Sequence, residues 1–128
     1  MTWNMGGANQ SVFQRPETIL PNVDKYDLVV FCAQECPRKM KTKRAAEIEQ
    51  YMGSMGFTTM SSEFLEMWEM FLLCFIKSEL FGHTANVSAM KIAKGAMKGM
   101  IGNKGCIAYN FTLQNRHFNI IATHLRHG

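Results

Sequence analysis

Two uninterrupted apolar runs of strand length mark the chain, Leu28-Val-Val-Phe-Cys-Ala33 and Phe71-Leu-Leu-Cys-Phe-Ile76. Runs of this kind, without alternation, predict strands buried on both faces. The first stops abruptly at Gln34-Glu35, and Pro37 closes the segment. Between the runs the period changes. Ala45, Ile48, Met52 and Met55 follow helical spacing, which predicts an amphipathic helix from Arg44 to Met55. Gly56 is placed to end that helix in a left-handed cap, with Phe57 folding back and opening a strand to about Ser61. Glu63, Glu66 and Glu69 form an acidic stretch that reads as a solvated face.

In the C-terminal part the period is two. Ile107, Tyr109, Phe111 and Leu113 alternate with smaller or polar residues, Gln114-Asn115-Arg116 makes a turn, and Phe118, Ile120 and Ala122 continue the apolar face of the returning strand. His124 shares their parity, so it is predicted to point toward the packed side at the strand's end. Asn4 to Asn22, rich in Gly, Pro, Asn and Gln, reads as loop with one short helix. The segment from His83 to Met100 stays open. Its alanines and lysines at 91, 94 and 98 suit a helix, and Gly95 and Gly99 suit loop or broken strand. No internal repeat interrupts the chain.

At 128 residues and 47% hydrophobic, the chain has enough apolar surface for one domain with a core. It has no apolar run of membrane-spanning length, and its first residues do not read as a secretory signal. Cys32, Cys36, Cys74 and Cys106 lie in or beside apolar runs, so they read as reduced, buried thiols of an intracellular, cytoplasmic protein. Asn86-Val87-Ser88 and Asn110-Phe111-Thr112 match the glycosylation pattern but lack that context. The eleven methionines read as adaptable core filler.

The net charge is +4 and unevenly spread. Arg38 to Arg44 is a dense basic run, Lys91, Lys94, Lys98 and Lys104 form a second basic region, and no carboxylate follows Glu79. The first run reads equally as a solvated helix start or loop and as a peripheral contact for an anionic membrane. No nucleic-acid-binding motif is present, and no nucleic-acid partner is expected.

The candidate chemistry lies at strand ends. Gly102-Asn103-Lys104-Gly105 opens the C-terminal hairpin and Thr123-His124-Leu125 closes it. Together they offer an ammonium, an imidazole and backbone N–H groups, a plausible grip for phosphate. Asn4 and Glu35 are two further polar residues where strands begin or end. Singly, each has a structural reading: Asn4 a turn, Glu35 a solvated terminal charge, His124 a satisfied core histidine. Lys104 lacks the flanking Gly and Ser/Thr of a P-loop. Cys32 and Cys36 with His124 and His127 lack zinc-finger spacing.

In chain order, Thr2-Trp3-Asn4-Met5-Gly6, Gln34-Glu35, Gly102-Asn103-Lys104-Gly105 and Thr123-His124-Leu125 resemble the motifs of the inositol polyphosphate 5-phosphatases, within the endonuclease/exonuclease/phosphatase superfamily. The Gly-Asn-Lys-Gly piece points to 5-phosphatases rather than to nucleases or sphingomyelinases. The resemblance implies an α+β fold, part of a four-layer α/β/β/α sandwich. It implies Mg²⁺ held by Glu35 with Asn4 beside it, directly or through water. It implies that His124 hydrogen-bonds the scissile phosphate and that Asn103 and Lys104 line the phosphate side. The substrate would be a phosphoinositide or a soluble inositol phosphate, cleaved at the 5-phosphate by water.

The sequence also departs from the family pattern. Met1-Thr2 precede Trp3 directly where a full strand is expected, and Cys106 replaces a usual glycine. The family's later Asp-x-Asn and Trp-Cys-Asp-Arg-like motifs are absent. Residues 1–128 therefore read as a truncated catalytic domain, half a site, expected to be inactive alone and prone to aggregate. The alternatives are another phosphodiesterase of the superfamily, or a non-catalytic module that binds anionic head groups or a protein.

Overall fold

A computed structural model describes residues 1–6, 15–96 and 101–125, with backbone only for 94–96 and 101–103. Among these residues the strands are β1 (Thr2–Asn4), β2 (Leu28–Gln34), β3 (Phe57–Thr59), β4 (Leu65–Met67), β5 (Met70–Lys77), β6 (Thr84–Ala96), β7 (Ile101–Leu113) and β8 (Arg116–His124). The helices are α1 (Pro16–Ile19) and α2 (Lys41–Ser54). None is long and apolar enough to cross a membrane.

The two apolar runs are β2 and β5, and they pair antiparallel at the centre of one sheet of order β1-β2-β5-β3, with β4 also on β5. Register decides which side chains share a face. Val29, Phe31 and Ala33 stand opposite Phe75, Leu73 and Phe71, and this face packs on α2 through Ala45, Ile48 and Met52. Leu28, Val30 and Cys32 stand opposite Ile76, Cys74 and Leu72, and this face meets a second sheet. That sheet, ordered β6-β7-β8, contributes Ile107, Tyr109, Phe111 and Ala122. The result is three packed layers, α/β/β, an α+β sandwich with two cores back to back.

Local chemistry explains most element ends. The buried positions of α2 are Lys41, Arg44, Ala45, Ile48 and Met52, one helical face. The helix stops where Gly56 takes φ +85°, a conformation that favours glycine, and Phe57 turns back into the core. Met55, expected on the buried face, is instead exposed just beyond the helix end. Gln114 and Asn115 both have positive φ, the signature of the two-residue turn that matches strand twist and joins β7 to β8. Phe111 and Phe118 then stack at 5.0 Å across that hairpin.

Several expectations change. The stretch from Thr84 to Ala96 is a strand, while 97–100 lie outside the described residues. Gly102 to Gly105, read as preceding and opening the hairpin, lies inside its first strand, β7. Trp3-Asn4 forms part of a short strand parallel to β2. The basic run is not uniformly solvated, because Lys41 and Arg44 are 8% and 1% exposed on the inner face of α2. Lys41 pairs with Glu66 and Arg44 with Glu47, so the acidic stretch is likewise partly used in packing. Arg38, Lys39 and Lys43 remain exposed.

Candidate active site

Parallel pairing of β1 with β2 puts Asn4 opposite Gln34, so Asn4 and Glu35 emerge at the same end of the first sheet. Antiparallel pairing of β7 with β8 puts His124 opposite Gly105, so Lys104 and His124 emerge together from the second sheet. Sheet packing brings these two ends into one corner. Asn4, Glu35, Lys104 and His124 meet there. The backbone of Asn103 is in β7, and its side chain lies outside the described residues.

The contacts are specific. His124 Nε2 lies 2.8 Å from Lys104 Nζ and 3.4 Å from Glu35 Oε1. An ammonium can only donate, so the contact with Lys104 uses Nε2 as acceptor, whereas a hydrogen bond to Glu35 uses it as donor. His124 is only 7% exposed, and Nδ1 is buried without a hydrogen-bond partner among the described residues.

Asn4 Oδ1 accepts from the Gly6 N–H at 3.0 Å, which aims the amide N–H₂ at Glu35. That hydrogen bond is the main cause holding the Glu35 carboxyl below its usual 4.5, with the charges of His124 and Lys104 adding to it. Glu35 itself sits at φ +54°, a left-handed conformation costing about 1–3 kcal/mol for a residue with a side chain. Neighbouring bonds hold it there: Met5 N–H donates to the Gln34 carbonyl at 2.8 Å and Cys36 N–H to the Glu69 carbonyl at 2.9 Å.

Gly105 has a steric role that sequence reading missed. A Cβ there would collide with the Ile92 carbonyl oxygen and stand 2.6 Å from Met67 Cε. A bare backbone at 105 lets β6 and the β4–β5 hairpin close in beside Lys104. Gln34 was also unassigned, although its parity with Cys32 turns it toward the second sheet. Its Nε2 donates to the Thr123 carbonyl at 3.3 Å and approaches Cys32 Sγ at 3.6 Å.

The donor set suits a small divalent cation. Glu35 supplies a hard carboxylate oxygen, the kind such ions take singly or in pairs while keeping several waters, and Asn4 beside it holds that carboxylate through its amide. No three of His, Cys, Asp and Glu cluster among the described residues, so such an ion would fill its shell from water and phosphate.

The type I inositol polyphosphate 5-phosphatase 5 of Arabidopsis thaliana is 32% identical over 76 residues, 59% of this chain and 14% of that protein. The 5-phosphatase domain of a synaptojanin, solved with inositol (1,4)-bisphosphate and a calcium ion, superposes with TM-score 0.78 at 17% identity, covering 99% of this chain and 39% of that one. The nitrophorin of Cimex, solved as a ferrous nitric oxide complex, superposes at 0.74 with 14% identity, covering 98% of this chain and 45% of that one. The fold is thus shared by proteins with different ligands, and chemistry has to be argued from the corner itself. The chain spans 14% of its curated relative and under half of either solved structure. Residues 1–128 match as a whole the family described as endonuclease/exonuclease/phosphatase family 2, and the chain belongs to that family.

Proposed function

We propose that this corner is the metal- and phosphate-binding part of an inositol polyphosphate 5-phosphatase site. One observation carries the reading: both sheets deliver their polar strand ends to the same point, a carboxylate and an amide from one and a lysine and a histidine from the other. Similarity to a plant 5-phosphatase and to the synaptojanin domain supports it.

Glu35 would hold Mg²⁺, with Asn4 beside it directly or through a water. A bound divalent cation offsets the negative charge that develops on the scissile phosphate. Lys104 turns from His124 Nε2 to a phosphate oxygen, and His124 then hydrogen-bonds a second oxygen of the same group. Asn103 lines the phosphate side. Among the described residues no cluster of three His, Cys, Asp or Glu forms here, and in this reading the residues of the corner bind and orient phosphate without activating water. Residues 1–128 alone are therefore inactive in this reading.

The substrate is a phosphoinositide or a soluble inositol polyphosphate. Arg38, Lys39 and Lys43, exposed just beyond Glu35, would rest against an anionic membrane carrying the former. A cytoplasmic location agrees with three buried free thiols at Cys32, Cys36 and Cys74. The test is phosphate release from an inositol polyphosphate by residues 1–128 with Mg²⁺. None above background is expected, while Mg²⁺-dependent binding of the same compound should be lost in Glu35→Ala. Mg²⁺-dependent turnover abolished by Glu35→Ala would contradict the reading of an incomplete site.

A further inference from the structure

We propose that Gln34 is a positioning residue that fixes the separation of Glu35 and His124, an assignment that rests on the proposed reading of the corner. Glu35 belongs to the first sheet and His124 to the second, and no chain segment at this end of the sandwich ties them covalently. Among the described residues two polar side-chain contacts join the sheets here, and they use consecutive residues on both sides. Gln34 Nε2 donates to the Thr123 carbonyl at 3.3 Å, and Glu35 faces His124 at 3.4 Å.

The Gln34 amide is set by what surrounds it. Parity along β2 turns it toward the second sheet, in line with Cys32, whose Sγ lies 3.6 Å from the same Nε2. One N–H₂ has two hydrogens, and these two acceptors give each of them a direction. Thr123 is held through its carbonyl, so the contact fixes the backbone of β8 immediately before His124, whatever the Thr123 side chain does. Past Thr123, His124 is the last residue of β8 and pairs with Gly105, and Leu125 after it is 69% exposed. Gln34 thus acts on the end of β8 and, through it, on where the imidazole stands relative to the carboxylate. Misplacement of a reacting group by about 1 Å can cost on the order of a hundredfold in rate, which gives such a tie functional weight.

The experiment is a double-substitution cycle in the 128-residue chain. Gln34→Met keeps the length of the side chain and removes the donor, and Gln34→Glu keeps its shape and replaces the donor with an acceptor. Inorganic phosphate with Mg²⁺ is the probe, followed by titration calorimetry, and Mn²⁺ binding alone is followed by water-proton relaxation. Phosphate affinity should fall about tenfold in Gln34→Met and further in Gln34→Glu, a factor of the size one lost hydrogen bond gives. Mn²⁺ affinity should stay within about twofold.

In a His124→Ala background the Gln34 substitutions should have no further effect, because the group being positioned is gone. Equal weakening with and without His124, or no weakening at all, would overturn the assignment. If the unmodified chain binds no phosphate, the reading of the corner fails, and hydrogen exchange decides the tie by itself. Faster exchange at 123–125 in Gln34→Met, with the β2–β5 amides unchanged, supports it; unchanged exchange at 123–125 overturns it.

Discussion

Glu35 and His124 come from different sheets and meet at 3.4 Å, with Lys104 on the same imidazole nitrogen at 2.8 Å. Three groups of carboxylate, imidazole and ammonium type thus share one point. Nε2 can serve only one of the other two at a time, as acceptor from Lys104 or as donor to Glu35. A phosphate that draws Lys104 away frees the Nε2 lone pair, and Nε2 donates only once it carries a proton, so ligand binding and the proton on His124 are linked.

The carboxyl of Glu35 is held below its usual 4.5 by the Asn4 hydrogen bond first, then by the charges of His124 and Lys104. A depressed folded-state value means that the contribution to stability is present above the ordinary range and is lost as pH falls through the folded value. In metal-free protein, ¹³C NMR of the Glu35 carboxyl should show a midpoint below 4.5, moving upward in Asn4→Ala. A midpoint at or above 4.5 would show that Asn4 does not donate to it.

Gly105→Ala should destabilise by about 1–3 kcal/mol, the usual cost of forcing atoms into a filled space. One obstacle is the flexible end of Met67, but the other is the Ile92 carbonyl oxygen of the neighbouring strand. Adding Met67→Ala should therefore recover only part of the loss in a urea denaturation series. Full recovery would show that the backbone contact is unimportant.

Tyr109 presents the opposite case. Its ring is buried between the sheets, and its hydroxyl has no hydrogen-bond partner among the described residues. Burial pushes the phenol up to about 12. Removing an unsatisfied buried hydroxyl removes a desolvation cost, so Tyr109→Phe should be neutral or stabilising by about 1 kcal/mol. A loss of more than about 1 kcal/mol in thermal unfolding would mean that the hydroxyl has a partner.

Glu66 and Glu63 look alike in the sequence and should behave differently. Glu66 pairs with the buried Lys41, whereas Glu63 is exposed. Glu66→Ala leaves a buried ammonium without its carboxylate and should cost about 1–3 kcal/mol, with Glu63→Ala within about 0.5 kcal/mol of the parent. Equal effects would contradict the pairing.

The pair also shows where sequence reading runs out. The central strands were legible because Leu28–Ala33 and Phe71–Ile76 are apolar throughout, and the β7–β8 hairpin because its parity is regular through His124. Lys41 and Arg44 were hidden by charge, although they stand four and one residues before Ala45 on the same helical face. β6 was hidden because its described residues from Ala85 to Ala93 are all exposed, so burial imposes no alternation on them. β4 is three residues long within an acidic stretch. At the corner, Asn4, Glu35 and His124 could be named in advance because strand-terminal polar residues stand out, and Lys104 because it lies in the Gly-Asn-Lys-Gly motif. Gln34 and Gly105 stand in such motifs too, but their roles could not be read, since these depend on what the opposite sheet and the neighbouring strand place against them.

The central claim is that Glu35 and Lys104 serve one metal-bound phosphate. It is tested most directly by ³¹P NMR of inositol 1,4-bisphosphate with substoichiometric Mn²⁺ and the 128-residue chain. Protein-dependent broadening of a phosphate resonance, lost in both Glu35→Ala and Lys104→Ala, is the expected result. Broadening that survives either substitution undiminished would contradict it.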